Sequence, residues 1–207
     1  MPSVLSKPQA FRTLWAKAFP PAIPLIPEPA VELKKHEFIK LDLKSRPGEE
    51  GSETYTLNVW LYDSGTPREW IDWYKNFEKV VVGHSLTTGP DKYNMARTLL
   101  RGDALRVFNR AALEAGTETN EHLQQVMNVV TRHVFPLHVL TKQKRWMHRQ
   151  LRKPEDTTLR QYVTAIQEMN QDFKYFPDAG DNPFLPEDEL ANIVEVGCPN
   201  TWQCQEL

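Results

Sequence analysis

Cysteine is scarce in this sequence, and its scarcity excludes two kinds of stabilisation. The chain has 2 cysteines, Cys198 and Cys204, and no histidine follows His148. A structural zinc site needs four closely placed ligands, and a disulfide framework needs several cysteine pairs. We therefore expect two free thiols in a reducing compartment, no metal site and no cofactor.

Long apolar runs and a strong charge of one sign are also missing. No window approaches the ~20 uninterrupted apolar residues that a membrane-spanning helix needs. Residues 1–10 lack the apolar core of a signal peptide, and residues 11–19 are interrupted by Arg12 and Lys17. The formal net charge of −2 excludes a globally basic nucleic-acid binder but allows a local basic patch. These absences favour a soluble, cytoplasmic protein without a membrane partner; a nuclear stage is left open.

Proline, in contrast, is abundant, and it defines an N-terminal arm. Of the 16 prolines, several fall in PPAIPLIPEP at residues 20–29, which should be extended because proline fixes φ and lacks a backbone donor. Residues 10–19 predict two or three helical turns whose apolar side carries Phe11, Leu14, Trp15 and Ala18. We expect residues 1–30 to be partly disordered, and the proline-rich strip at residues 20–29 to be either a tether or a segment that docks in a groove.

A β-hairpin is predicted over residues 31–63. Phe38 and Leu43 mark the first strand, and alternating apolar side chains from Tyr55 to Leu61 mark the second. The segment RPGEEGS at residues 46–52 is typical of a turn. Because a lone hairpin is marginally stable in water, it should pack on the helices or on a neighbouring subunit.

Residues 66–113 predict helices that pack on one another. Thr66, Pro67 and Glu69 suit an N-cap, a first helical position and a capping box. Gly102 predicts a helix break or a tight contact, and a further helix should run from Thr119 to Pro136. The expected core of this first lobe is Trp70, Trp73, Phe77, Leu100 and Phe108.

Residues 137–153 predict a basic helix. No acidic residue occurs between Leu137 and Lys153, and the arginines recur at a spacing that places them on one helical face. This face is either a solvated charged surface or a surface that binds RNA phosphates with salt-dependent, sequence-blind affinity. The candidate nucleic-acid-binding residues are Lys142, Arg145, Arg149 and Arg152.

Pro154 marks the predicted boundary between two lobes. Residues 31–153 would form the hairpin and an N-terminal lobe, and residues 154–207 a partial C-terminal lobe. A helix after Thr158 should end near Pro177, and a short acidic helix should follow Leu185. The expected core of the second lobe is Tyr162, Ile166 and Phe173.

Three pieces of the sequence carry a family resemblance. They are GTPREWIDWYKNFEKVV, KYNMARTLLRGDALRVFNRAAL and the interrupted LRQYVTAIQEMNQDFKYFPDAG…LPEDELANIVEVGCPNTWQ. Their order and spacing resemble the Gag capsid proteins of long-terminal-repeat retrotransposons of the gypsy or metaviral kind.

The resemblance implies a mainly α protein with two helical lobes of retroviral or retrotransposon capsid type. Such a protein is a homo-oligomer that self-assembles into shells around RNA. Two departures stand out: the sequence has no C-x-x-C-x-x-x-x-H-x-x-x-x-C zinc knuckle, and the second lobe looks short at Leu207.

Two other interpretations stay open. A domesticated, capsid-derived adaptor would be a stable monomer that binds a partner peptide between helices 66–82 and 120–134. An enzyme fragment would need clustered polar groups at a pocket, and the scattered histidines offer no such cluster. We therefore expect no enzymatic activity and no small-molecule substrate.

Overall fold

The computed structural model describes residues 37–46, 49, 51–177 and 179–198. Two antiparallel strands come first and helices follow, which confirms the predicted mainly helical class with a hairpin ahead of the helices. The predicted arm, residues 1–30, lies outside the described residues. The described residues divide into two compact units between Leu137 and His138. We call residues 37–137 the first unit and residues 138–198 the second unit.

The hairpin pairs β1, Phe38–Lys44, with β2, Thr54–Trp60. Phe38 lies opposite Trp60, which fixes the register. The inward face carries Leu43 and Val59, both completely buried, whereas Tyr55 remains 44% exposed at the loop end of β2. The predicted alternation therefore describes the inward face, on which Leu43 is fully buried although its cross-strand partner Tyr55 is not.

Four helices complete the first unit: α1, Pro67–Gly83; α2, Gly89–Leu99; α3, Gly102–Ala115; and α4, Asn120–Val134. Thr66 and Glu69 form the predicted capping box at the start of α1. Thr88 and Thr119 accept backbone hydrogen bonds in the same way at the starts of α2 and α4. Hydrogen bonds between each N-cap side chain and the backbone three residues later thus fix where these helices begin.

Stacked aromatic rings form the centre of the first unit. The rings of Trp70 and Trp73 lie 4.8 Å apart between centroids and 18° from parallel. Trp73 stacks on Phe77 at 5.6 Å. The expected core side chains are all at most 4% exposed, namely Trp70, Trp73, Phe77, Leu100 and Phe108.

The start of α3 is joined to the segment that follows the hairpin. The backbone oxygen of Asp63 accepts a hydrogen bond from Ala104 N at 3.0 Å. Its carboxylate Oδ1 accepts one from Asp103 N, also at 3.0 Å. Gly102 has a φ of +46°, and a Cβ there would collide with the Asp63 carboxylate. Gly102 thus allows Asp63 to cap the helix from a distant position in the chain.

The second unit contains α5, Val139–Gln150; α6, Leu159–Gln171; a 3-10 turn, Asp172–Tyr175; and α7, Glu187–Gly197. Tyr162, Ile166 and Phe173 are at most 1% exposed. The Nδ2 of Asn170 donates to Leu185 O at 3.0 Å, and Leu185 N donates to Asn170 Oδ1 at 2.7 Å. This pair of hydrogen bonds holds the loop before α7 against α6.

Helix α5 groups with the second unit, whereas the sequence had placed the boundary after it, at Pro154. His148 Nε2 lies 3.0 Å from Glu189 Oε2 on α7. Lys153 N, just beyond α5, donates to Gly197 O at 2.8 Å. Both contacts join residues far apart in the sequence. The local break at Pro154-Glu155-Asp156, from which the boundary was predicted, carries no information about them.

Candidate nucleic-acid surface and apolar groove

The exposed side of α5 carries the candidate RNA-binding cations. Lys142, Arg145 and Arg149 are all exposed on this helix. Among the described residues, none of these three side chains forms an ion pair with a carboxylate. Arginine can bind phosphate oxygens through two parallel hydrogen bonds, so this surface has the chemistry needed to contact a polyanion.

Arg152 lies outside the helix that the sequence had extended to Lys153. Helix α5 ends at Gln150, where Leu151 N donates to Trp146 O at 3.2 Å and the Leu151 side chain is buried. The Nη1 of Arg152 donates to Leu151 O at 2.9 Å. Arg145 and Arg149 therefore share a helical face, but the expectation that Arg152 continues it is wrong.

The other side of α5 is anchored within the second unit. Gln143 and Met147 are buried. The Nζ of Lys144 lies 5.6 Å from the centre of the Phe173 ring, a cation–π distance. Trp146 is half-buried. These contacts fix the helix so that the side bearing Arg145 and Arg149 faces away from the core.

A groove between α6 and α7 is the second feature of interest, and the sequence did not predict it. It has a volume of about 1330 Å³. Small-molecule pockets are roughly 300–1,000 Å³, so the size suits a peptide segment better. The apolar side chains that line it are Leu159, Val163, Ile166, Phe184, Leu185, Leu190, Ala191 and Val194.

Acidic residues supply the charge of this groove. Its charged lining residues are Glu187, in the first turn of α7, and Glu195, near the end of that helix. Val163, Leu190 and Val194 are half-buried, so apolar surface remains open between the two helices. A signal for the groove was present in the sequence: α6 carries an apolar pair at Leu159 and Val163 and α7 one at Leu190 and Val194, both spaced i, i+4.

The adaptor interpretation had placed a pocket elsewhere, between α1 and α4. These two helices contact each other directly, since Trp70 Nε1 donates to Thr131 Oγ1 at 3.0 Å inside the core. Val126 and Val130 of α4 are fully buried as well. The groove of the second unit is thus the better candidate site for a peptide.

The described residues contain no group of three or more histidine, cysteine, aspartate or glutamate side chains arranged to hold a metal ion. Among these residues there is also no helix with the length and apolarity needed to cross a bilayer. Cys198 is a half-buried free thiol at one end of the groove.

One surface cluster perturbs a titratable group. His133 Nε2 lies 2.8 Å from Asp103 Oδ2, and Arg106 Nη2 lies 2.7 Å from Asp103 Oδ1. The hydrogen bond from His133, with the positive charge of Arg106, lowers the pKa of Asp103 below its usual value. All three side chains are solvent-accessible, so these contacts form an ion-pair network at the surface.

Comparison with known proteins gives no relative, since no family model, curated protein or solved structure matches this chain.

Proposed function

We propose that this chain is a structural, Gag-like capsid protein of a retrotransposon, which self-assembles into RNA-containing particles and catalyses no reaction. One observation carries the proposal. The three sequence pieces that resemble Gag fall on α1, on α2 and α3, and on α6 and α7, which belong to two separately packed helical units behind a hairpin.

Exposed apolar side chains on the first unit are the candidate contacts between copies. Leu113 on α3 is 89% exposed, and Val82 on α1 is 64% exposed. Burial of apolar surface is worth roughly 25 cal/mol per Å², so each such contact is weak by itself. A shell is stable because every subunit makes several weak contacts at once.

The basic surface of α5 supports the RNA part of the proposal. Binding of Lys142, Arg145 and Arg149 to phosphates would release counterions, so affinity would fall steeply with salt and depend little on sequence. Such binding would raise the local concentration of subunits along one RNA and promote assembly.

Assembly is tested by multi-angle light scattering and negative-stain microscopy over a range of protein and salt concentrations, with and without RNA. We expect particles, and we expect Leu113→Asp to reduce their yield. Gln125→Asp is the matched control, because it also adds one negative charge at an exposed helical position of the first unit. A strict monomer at high protein concentration, in salt and with added RNA, would overturn the proposal.

The groove of the second unit favours one alternative function. An adaptor derived from a capsid would bind one partner peptide per chain there, because apolar walls with an acidic rim suit an amphipathic helix. It would remain monomeric under the conditions that give particles in the capsid proposal, so the same light-scattering experiment separates the two.

A further inference from the structure

The groove between α6 and α7 needs an occupant with apolar side chains on one face and positive charge beside them. Val163 on α6 and Leu190 and Val194 on α7 leave apolar surface open, and Glu187 and Glu195 give the lining its charge. A helix in such a groove is recognised by apolar anchors at i, i+3, i+4 and i+7.

One segment of this same chain has that pattern. Residues 10–19 read AFRTLWAKAF, and their anchors fall at i, i+3, i+4 and i+7: Phe11, Leu14, Trp15 and Ala18. The charged residues of the segment are Arg12 and Lys17, and it contains no acidic residue. Its charge is therefore opposite to that of the groove.

We propose that residues 10–19 dock as an amphipathic helix in the groove formed by Val163, Leu190 and Val194. The anchors would cover the open apolar surface, and Arg12 and Lys17 would lie near Glu187 or Glu195. This inference does not depend on the capsid proposal, because docking can occur with or without particle formation.

The chain segment that follows Cys198 in the sequence is a poorer fit. Residues 199–207 read PNTWQCQEL and follow directly after Cys198 at the end of the groove. Glu206 is their charged residue, with the same sign as the groove, and Trp202 and Leu207 are not spaced as helical anchors. Charge and periodicity both favour residues 10–19.

The connecting segment allows this docking within one chain or between two copies. Residues 20–36 separate the anchor segment from Glu37, where the described chain begins. At roughly 3.1 Å per residue for a proline-rich spacer, this segment reaches on the order of 50 Å. The crosslinking experiment below therefore distinguishes docking within one chain from docking between two copies.

Photo-crosslinking in the full chain tests the proposal. The photoreactive residue p-benzoylphenylalanine replaces Trp15 in one variant and Thr13, on the opposite side of the predicted helix, in a control. After irradiation, mass spectrometry of the digested protein locates the crosslinks. We expect the Trp15 probe to react with α6 and α7 at least several-fold more than the Thr13 probe. Mixing with isotope-labelled chains shows whether the groove belongs to the same chain or to another copy; either result supports the proposal.

Charge reversal provides a second, independent readout. Arg12→Glu combined with Lys17→Glu should lower the Trp15 crosslink yield several-fold without changing the circular dichroism of the folded body. Equal crosslinking from Trp15 and Thr13, or crosslinks outside α6 and α7, would overturn the proposal. A photo-probe at Trp202 that reacts with the groove while the Trp15 probe does not would assign the groove to the C-terminal segment instead.

Discussion

The indole nitrogen of Trp70 donates a hydrogen bond of 3.0 Å to the hydroxyl of Thr131, which joins α1 to α4 inside an otherwise apolar core. Thr131 Oγ1 in turn donates to Met127 O at 2.8 Å. The Trp70 side chain is fully buried and Thr131 is 3% exposed, so no solvent can replace this contact.

Thr131→Val should therefore destabilise the first unit although the side chain keeps its shape. A buried donor left without a partner costs about 1–3 kcal/mol. Urea unfolding followed by tryptophan fluorescence measures the free energy of unfolding. Thr131→Ser, which keeps the hydroxyl, is the control and should lose less. Equal stability of Thr131→Val and wild type would show that the hydrogen bond contributes nothing net.

Gly102→Ala should destabilise the protein more than Gly51→Ala, although both glycines have a positive φ. The φ of +46° at Gly102 disfavours any side chain, and a Cβ would displace the Asp63 carboxylate that caps α3. Left-handed geometry costs about 1–2 kcal/mol, and loss of a helix cap costs about 0.5–2 kcal/mol. Gly51→Ala is the matched control, because Gly51 has a φ of +80° but no atom within 4 Å of the added Cβ. Equal losses of unfolding free energy for the two variants would contradict the role assigned to Asp63.

Asn170→Leu should destabilise the second unit and loosen the loop before α7. The substitution removes both hydrogen bonds to Leu185 and leaves two buried backbone groups unpaired, each at a cost of roughly 1–3 kcal/mol. Gln171→Leu, at the exposed neighbouring position, is the control and should change stability by no more than about 0.5 kcal/mol. Hydrogen exchange at Leu185 N gives a local readout. Unchanged protection of that amide in Asn170→Leu would refute the proposed role of Asn170.

Alkaline pH should destabilise the second unit through Tyr162. Burial raises the pKa of this phenol from 10.0 to about 12. The folded state thus favours the neutral form: its stabilising effect is complete below pH 10 and is lost as the pH rises toward 12. Tyr162→Phe should flatten this alkaline decline of the urea midpoint. It should cost little at neutral pH, because Tyr162 Oη has no hydrogen-bond partner among the described atoms. Identical alkaline slopes for the variant and the wild type would contradict the prediction.

Replacement of Lys142, Arg145 and Arg149 by glutamate should weaken RNA binding without unfolding the protein, because these are the exposed cations of α5. Each lost phosphate contact should reduce the slope of log affinity against log salt by about 0.7 for single strands. A control with the same change in net charge replaces the exposed arginines Arg97, Arg110 and Arg160. Filter binding across a salt series measures both variants. If both lose affinity equally, the effect reflects total charge and the surface on α5 is not a specific site.

Local signals made much of the fold predictable from sequence. The capping box of Thr66 and Glu69 uses residues three positions apart, so the start of α1 could be read directly. The break at Gly102 was likewise visible, although its distant partner Asp63 was not. The predictable parts are those whose determining contacts lie within a few residues along the chain.

Tertiary contacts decided the rest. Helix α5 ends at Gln150 because the Leu151 side chain turns into the core and Lys153 N binds Gly197 O, and neither contact follows from helical periodicity. The same contacts assign α5 to the second unit. The sequence did not predict the groove between α6 and α7. Its width depends on the distance between the two helices, and tertiary packing sets that distance.

The hairpin has a further consequence that arises from its size. In the described chain the sheet has two strands, so both are edge strands. Each strand pairs with the other along one edge of its backbone only. Sheet edges of this kind can accept an additional strand from another polypeptide. Peptide tags of high β-propensity should therefore be kept away from the hairpin, where strand addition would mimic genuine oligomerisation.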